Sequence, residues 1–231
     1  MSISLNHYRG SDQSLNYTFP MPYIYYKGKR IEADSSLING KFYTSRFLTV
    51  KLTFSANPRV ESETNVARQG MPELNWTFGV GPLLVFHIIK TPRFDFQLEH
   101  AIRREFETDF KYTKAIGISQ ASYITFRKNQ IGPRDWSMEV AFGYLQGDKN
   151  LHNYFYTVDP AFANGGRPAY QAKGGFSGKT VIATYRNSWG NVLIFPFVRY
   201  DDLSGAVFED SPLVKKKSYF MGGAGLFYLF D

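Results

Sequence analysis

The chain has 231 residues, a formal net charge of +7 and no cysteine, and 17% of it is aromatic, with 16 Tyr and 21 Phe. The missing thiols exclude disulfide frameworks, thiolate zinc sites and cysteine nucleophiles, and no run approaches the ~20 apolar residues of a membrane-spanning helix, which excludes a helical membrane protein. Lys and Arg are scattered apart from Lys215-Lys216-Lys217, so the charge points to solvated basic loops facing an anionic surface such as lipopolysaccharide, with no nucleic-acid site.

Strand-favouring aromatic and β-branched residues dominate, and helical Ala-Leu-Glu-Lys runs are scarce, which makes the chain all-β. Met1 to Leu5 lacks the basic start, apolar core and cleavage site of a secretory signal. It is read as lying inside a first strand whose upstream part is absent. Turn residues divide the rest into twelve candidate strands, near 2–8, 17–27, 30–37, 42–55, 74–89, 93–104, 111–127, 135–147, 151–158, 169–186, 191–203 and 217–230.

Alternation is clearest in the middle of the chain. Leu48, Val50, Leu52 and Phe54 stand opposite Thr49, Lys51, Thr53 and Ser55. Leu74, Trp76, Phe78, Val80, Leu84, Phe86 and Ile88 continue the pattern opposite Asn75, Thr77, Gly79 and Gly81. Phe94, Phe96, Leu98 and Ile102 alternate with Arg93, Asp95, Gln97, Glu99 and Arg103, so one face is apolar and the other charged. Trp136, Met138, Val140, Phe142 and Tyr144 alternate with Ser137, Glu139, Ala141 and Gly143, an apolar band with an aromatic at each end. The last strand places Phe220, Leu226, Tyr228 and Phe230 on one parity, like the C-terminal assembly signal of outer-membrane barrels (Leu226, Tyr228, Phe230), except that Asp231 follows the final aromatic.

A soluble sandwich shows the same alternation with its apolar face turned inward. The lengths of 74–89, 111–127 and 170–186 exceed the ~5–6 residues usual in sandwiches and favour tilted membrane strands. Small residues on the polar face (Gly117, Ser119, Ala121, Gly143) suit a narrow, packed lumen. The expectation is a single antiparallel transmembrane β-barrel of about 12 strands spanning 1–231, with both termini on one side.

If that side is periplasmic, 27–29, 147–149 and 187–190 are short periplasmic turns, and 9–16, 128–134, 159–168 and 204–216 face outward. Residues 56–73 break the rule, being long and polar yet on the periplasmic side. Either a strand is miscounted before residue 74, or a periplasmic segment carrying Arg59, Glu61, Glu63 and Arg68 is available to a protein partner.

The four histidines (His7, His87, His100, His152) lack a nearby catalytic or metal-ligating pattern. His100, on the apolar face with Ser119 or Ser137, is the one conceivable hydrolase pairing. Gly174–Thr180 echoes a phosphate-binding loop but has Lys173 where that motif needs glycine. No catalytic, cofactor or metal residues are assigned. The lumenal row Arg93, Asp95, Gln97, Glu99, Arg103 and Glu139 fits either a permeation path or a network of opposite charges that plugs the barrel.

A succession of short stretches resembles the MltA-interacting protein family (MipA/OmpV). These are Tyr8–Asp12, Pro20–Ile24, Gly81-Pro82, Tyr154–Val158, Pro168–Tyr170 with Gly174-Gly175, Tyr200–Gly205 and Asp210–Val214, in the family's order over nearly the whole chain. The resemblance implies a Gram-negative outer-membrane barrel whose best-known member links a lytic transglycosylase to a penicillin-binding protein in peptidoglycan remodelling. Other members are adhesins or porins linked to small molecules, and the family has no agreed catalytic residues. A non-enzymatic scaffold is therefore expected, with a small-solute channel or a surface adhesin, the latter using loop aromatics such as Phe162 and Phe208, as the alternatives.

Overall fold

The computed structural model describes residues 2–18, 26–27, 31–34, 37–130 and 136–228. Among these, the alternating segments form β1 (Ser2–Asn6), β2 (Ser14–Thr18), β3 (Tyr26–Lys27), β4 (Ile31–Asp34), β5 (Leu37–Thr44), β6 (Leu48–Asn57), β7 (Trp76–Lys90), β8 (Phe94–Thr108), β9 (Thr113–Gln130), β10 (Trp136–Gly147), β11 (Gly175–Trp189), β12 (Val192–Asp202) and β13 (Ser218–Tyr228). One short helix, α1 (Lys149–Tyr156), interrupts the series, and no helix among the described residues is long and apolar enough to cross a membrane.

All pairing is antiparallel, in the order β2-β1-β13-β12-β11-β10-β9-β8-β7-β6-β5-β4-β3. Strands pair with their chain neighbours, and β1 joins β13 through Ser2↔Ala224 and Ser4↔Gly222. Alternating directions around this order make β2 and β3 run the same way, so they are successive parts of one path and not the arms of a hairpin. One borders β1 and the other β4, and the sheet comes round on itself as a barrel.

The faces are inverted relative to a soluble protein. On β8 and β9 the inward Gln97, Glu105 and Thr125 are 3%, 6% and 1% exposed, while the outward Leu98 and Ile124 are 39% and 45% exposed. β10 repeats this, with Met138 and Phe142 exposed and Ala141 and Gly143 buried. A sandwich core would require the opposite assignment. Inward glycines make room for the larger lumenal groups: a Cβ on Gly79 would strike the Glu105 carboxylate, and one on Gly143 would strike the Tyr123 ring.

Two sequence expectations fail in compensating ways. Candidate 42–55 is the ends of two strands, β5 and β6, joined by a turn at 45–47 in which the Ser45 hydroxyl accepts from the Leu48 amide at 3.0 Å. Candidate 151–158 is helical, because Asp148 caps α1 by accepting from the Leu151 amide at 2.8 Å. The errors cancel in the count but reverse the direction of every strand between them. Consequently 58–75, 109–112 and 148–174 share an end with 7–13 and 203–217, and 147–149 opens a long loop instead of making a short turn. The turns at 45–47, 91–93 and 190–191, the end of β9 at Gln130 and the start of β10 at Trp136 lie at the other end, with the start of β1 and the end of β13. The miscounted strand before residue 74 is thus the explanation for the misplaced 56–73. Pro20–Ile24, positions 28 and 29 of the expected 27–29 turn, positions 131–134 of the expected 128–134 loop, and Phe230 lie outside the described residues.

Candidate functional site: a capped lumen

The buried apolar cluster among the described residues is not inside the sheet. It lies at one mouth of the barrel, where four loops meet. Val60 and Leu74 come from 58–75, Tyr156, Val158 and Ala172 from 148–174, and Leu203, Phe208 and Leu213 from 203–217; Tyr8 comes from 7–13. All are buried. Tyr156 stacks on Phe208 with ring centroids 3.7 Å apart, and Tyr8 meets Tyr156 edge-on. Loops longer than a hairpin needs can form such a core because they bury one another's side chains.

Polar contacts join the same loops. The Tyr8 hydroxyl donates to Leu213 O (2.9 Å), that of Tyr156 to Arg9 O (3.1 Å), and that of Ser211 to Tyr156 O (2.7 Å). Burial pushes the Tyr8 and Tyr156 phenols well above their usual range, so both remain donors. Arg167 spans two loops, its guanidinium donating to Phe162 O, Ala67 O and Gln69 O. Arg68 donates to Phe155 O and Pro72 O, and its guanidinium lies over the Tyr8 ring.

The cap is anchored to the barrel wall through charge. Asp201 on β12, fully buried, pairs with Arg199 (2.7 Å) and with Arg9 of the first loop (3.2 Å). Beneath lies a cavity of about 200 Å³ lined by apolar side chains such as Phe208, Ile116 and Leu151 and by Arg9, Arg103, Glu105 and His152. Glu105 accepts from the Ser119 hydroxyl at 2.5 Å and from Ser55 at 3.2 Å, and Arg103 donates to Thr53 Oγ1 at 3.0 Å. Further down the lumen, Arg127 grips Glu139 through Nε (2.7 Å) and Nη2 (2.5 Å), and His87 reaches Thr49 (3.0 Å) and Asp95 (3.5 Å).

Of the expected lumenal row, Asp95, Gln97, Glu99, Arg103 and Glu139 face inward, whereas Arg93 sits exposed in the 91–93 turn at the rim. Within 56–73, Arg68 is buried as a cap residue, Arg59 pairs with Glu73, and Glu61 and Glu63 remain exposed. His100 bonds Ser122 (2.9 Å) on the outer face, not Ser119 or Ser137. Phe208 is fully buried, so it cannot serve as an exposed adhesive aromatic, and Phe162 packs against the same core. Leu226 is exposed on β13, whose backbone ends at Tyr228. Sequence reasoning missed Arg9, Arg167, Arg199 and Asp201 as structural charges. For Arg9 and Asp201 a signal was present, because they lie in Tyr8–Asp12 and Tyr200–Gly205, stretches that carry the resemblance and converge on the cap with Tyr154–Val158 and Asp210–Val214; Arg167 and Arg199 lie outside those stretches.

The fold and site define an inside-out antiparallel barrel, polar within and apolar without, with one mouth covered by its own loops. No residue group of His, Asp and Glu among those described could hold a metal ion. The chain belongs to the family described as MltA-interacting protein MipA, which it matches over residues 2–230. No curated protein and no solved structure matches it.

Proposed function

We propose that the chain, as one barrel unit over 1–231, sits in the Gram-negative outer membrane and acts as a scaffold for a lytic transglycosylase and its peptidoglycan synthase partner, a role that needs no catalytic step. The observation that carries this is the reversed polarity of the wall: an exposed apolar face on strands of 12 to 18 residues is stable only against an apolar medium. A 15-residue strand rises about 50 Å along its axis, and about 35 Å when tilted near 45°, enough to cross the ~25 Å apolar band. Outward aromatics stand near both ends, with Trp76, Phe110 and Tyr144 toward the cap and Phe94, Tyr185 and Trp189 toward the termini. The family description supplies the interaction with MltA.

Membrane barrels turn their long loops outward and their short turns to the periplasm. With that orientation, the exposed Lys215, Lys216 and Lys217 face lipopolysaccharide phosphates. A periplasmic partner then meets the short-turn end, where Arg46, Phe47, Lys90 and Arg93 are exposed, and segment 56–73 faces away from it. The paired charges within the lumen and the cap over its mouth favour a plugged barrel over a small-solute channel.

Capture from envelope extracts tests the scaffold. Charge reversal at Arg46 and Arg93 should abolish recovery of the transglycosylase, whereas reversal at Glu61 and Glu63 should leave it intact. The opposite pattern would place the partner at the cap. A steady open conductance of the intact barrel in liposomes would favour the channel.

A further inference from the structure

Two cap-cavity side chains play no part in the scaffold. His152 on α1 has Nε2 2.7 Å from Ser177 Oγ and Nδ1 2.6 Å from the Lys173 carbonyl oxygen. A carbonyl oxygen only accepts, so Nδ1 carries the ring proton and Nε2 presents its lone pair. The Ser177 hydroxyl therefore donates to His152. This is the order of groups that activates a serine: hydroxyl, imidazole in the correct tautomer, and an acceptor that holds the ring. Here a backbone carbonyl takes the place usually filled by a carboxylate.

The backbone around Ser177 is also specialised. The β10–β11 register passes from Leu145↔Gly178 to Gln146↔Phe176, leaving Ser177 as the extra residue of a bulge. Gly175 and Gly178 flank it at φ +139° and +107°, where a side chain would be strained. A Cβ on Gly178 would also meet the Asp202 carbonyl. Ser177 and His152 both line the cavity of about 200 Å³, beside apolar Phe208, Tyr156, Leu151 and Ile116. Arg9 brings positive charge to the same turn, its Nη1 donating to Ser177 O at 2.8 Å. Burial, aided by Arg9, holds His152 below its usual range, which keeps the imidazole a neutral base near pH 7.

We propose that Ser177 is a nucleophile, with His152 as its general base, that accepts acyl groups from small carboxylic esters whose apolar acyl part occupies the cap cavity. Ser177 Oγ bonds to the ester carbonyl carbon as its proton passes to His152 Nε2. The C–O bond to the leaving alcohol then breaks, and the alcohol takes that proton. Water, deprotonated by the same nitrogen, attacks the acyl-serine, releases the carboxylic acid and restores the hydroxyl. The alternative role of the pair, a tie holding α1 to the wall, requires the same hydrogen bond but no reactivity. This activity does not rest on the scaffold reading.

The purified, folded barrel in detergent is treated with diisopropyl fluorophosphate and analysed by mass spectrometry, with p-nitrophenyl acetate hydrolysis measured in parallel. A single phosphoryl adduct on Ser177 is expected, absent from S177A, with hydrolysis falling at least a hundredfold in S177A and in H152A. A folded wild-type protein that gains no adduct and hydrolyses no faster than S177A would overturn the proposal. S177C provides a second measure: its thiol should react with iodoacetamide in the folded barrel, and an inert thiol would show a sealed, purely structural pair.

Discussion

Replacing Arg167 by alanine should open the cap while leaving the barrel standing. Arg167 is 8% exposed, and its guanidinium makes four N–H···O contacts of 2.8 to 3.1 Å to three carbonyl oxygens, two of them on loop 58–75 and one on its own loop. No carboxylate pairs with it among the described residues, so its attachment is wholly to backbone. Hydrogen bonds to a charged group contribute about 1.5–3 kcal/mol each, and the carbonyls left behind keep a desolvation cost. Water reaching a near-surface junction offsets part of this, giving a net loss of about 3–5 kcal/mol. At ~1.4 kcal/mol per tenfold change, cap opening should rise roughly a hundredfold to several thousandfold. Limited trypsinolysis reads this directly, because cleavage follows the open population when reclosing is fast. New cuts are expected in 58–75 and 148–174, while heat-modifiable migration on gels stays intact. R167K should fall between, since an ammonium cannot replace a planar fork. Cleavage of R167A at the wild-type rate would refute the role assigned to this residue.

Other perturbations address the wall and the helix. Leu98→Arg puts a cation on the outward face and should cost about 2–4 kcal/mol in urea titrations of the barrel folded into lipid vesicles, whereas Leu98→Phe should be near neutral; equal costs would contradict an apolar surround. Gly117→Ala should lift α1 from the wall, because at φ +149° a Cβ lands on Asp148 Oδ1 and the Leu151 amide nitrogen; hydrogen exchange of 149–156 should accelerate, and unchanged protection would contradict that packing. The lowered proton affinity of buried His152 means that, below about pH 6.5, the unfolded segment binds a proton the folded cap resists. Buried His7 in the first cap loop is lowered in the same sense, so cap protection should fall between pH 7.5 and 5.5 in the wild type, fall less in H152Q and level out in H7Q/H152Q, with equal pH responses in wild type and H152Q counting against the role of His152.

Much of the wall was legible because a strand reports its two faces locally. The Phe94–Arg103 and Trp136–Tyr144 alternations appear in the structure with the expected parity, since neighbouring side chains in a strand must point opposite ways. The turn at 45–47 was missed because it holds neither glycine nor proline and is closed by the Ser45 hydroxyl. α1 was mistaken for a strand because Tyr154–Val158 is rich in strand formers, although Asp148 three residues before Leu151 was the available signal of a helix start. Those two local errors reversed the loop assignment between them, which a count of strands could not reveal.

That the chain is all-β, that one face of its strands is apolar and the other polar, and, through its ordered motifs, which family it belongs to, are all written in the order of its residues. Which face turns outward, the gathering of four loops into a cap and the meeting of His152 with Ser177 emerge from the folded barrel alone. Alternation is identical for a sandwich and a barrel, so it cannot tell inside from outside. The cap depends on contacts between residues as far apart as Tyr8 and Leu213, 205 positions along the chain. Such contacts follow from the closure of the whole sheet, which no local stretch encodes.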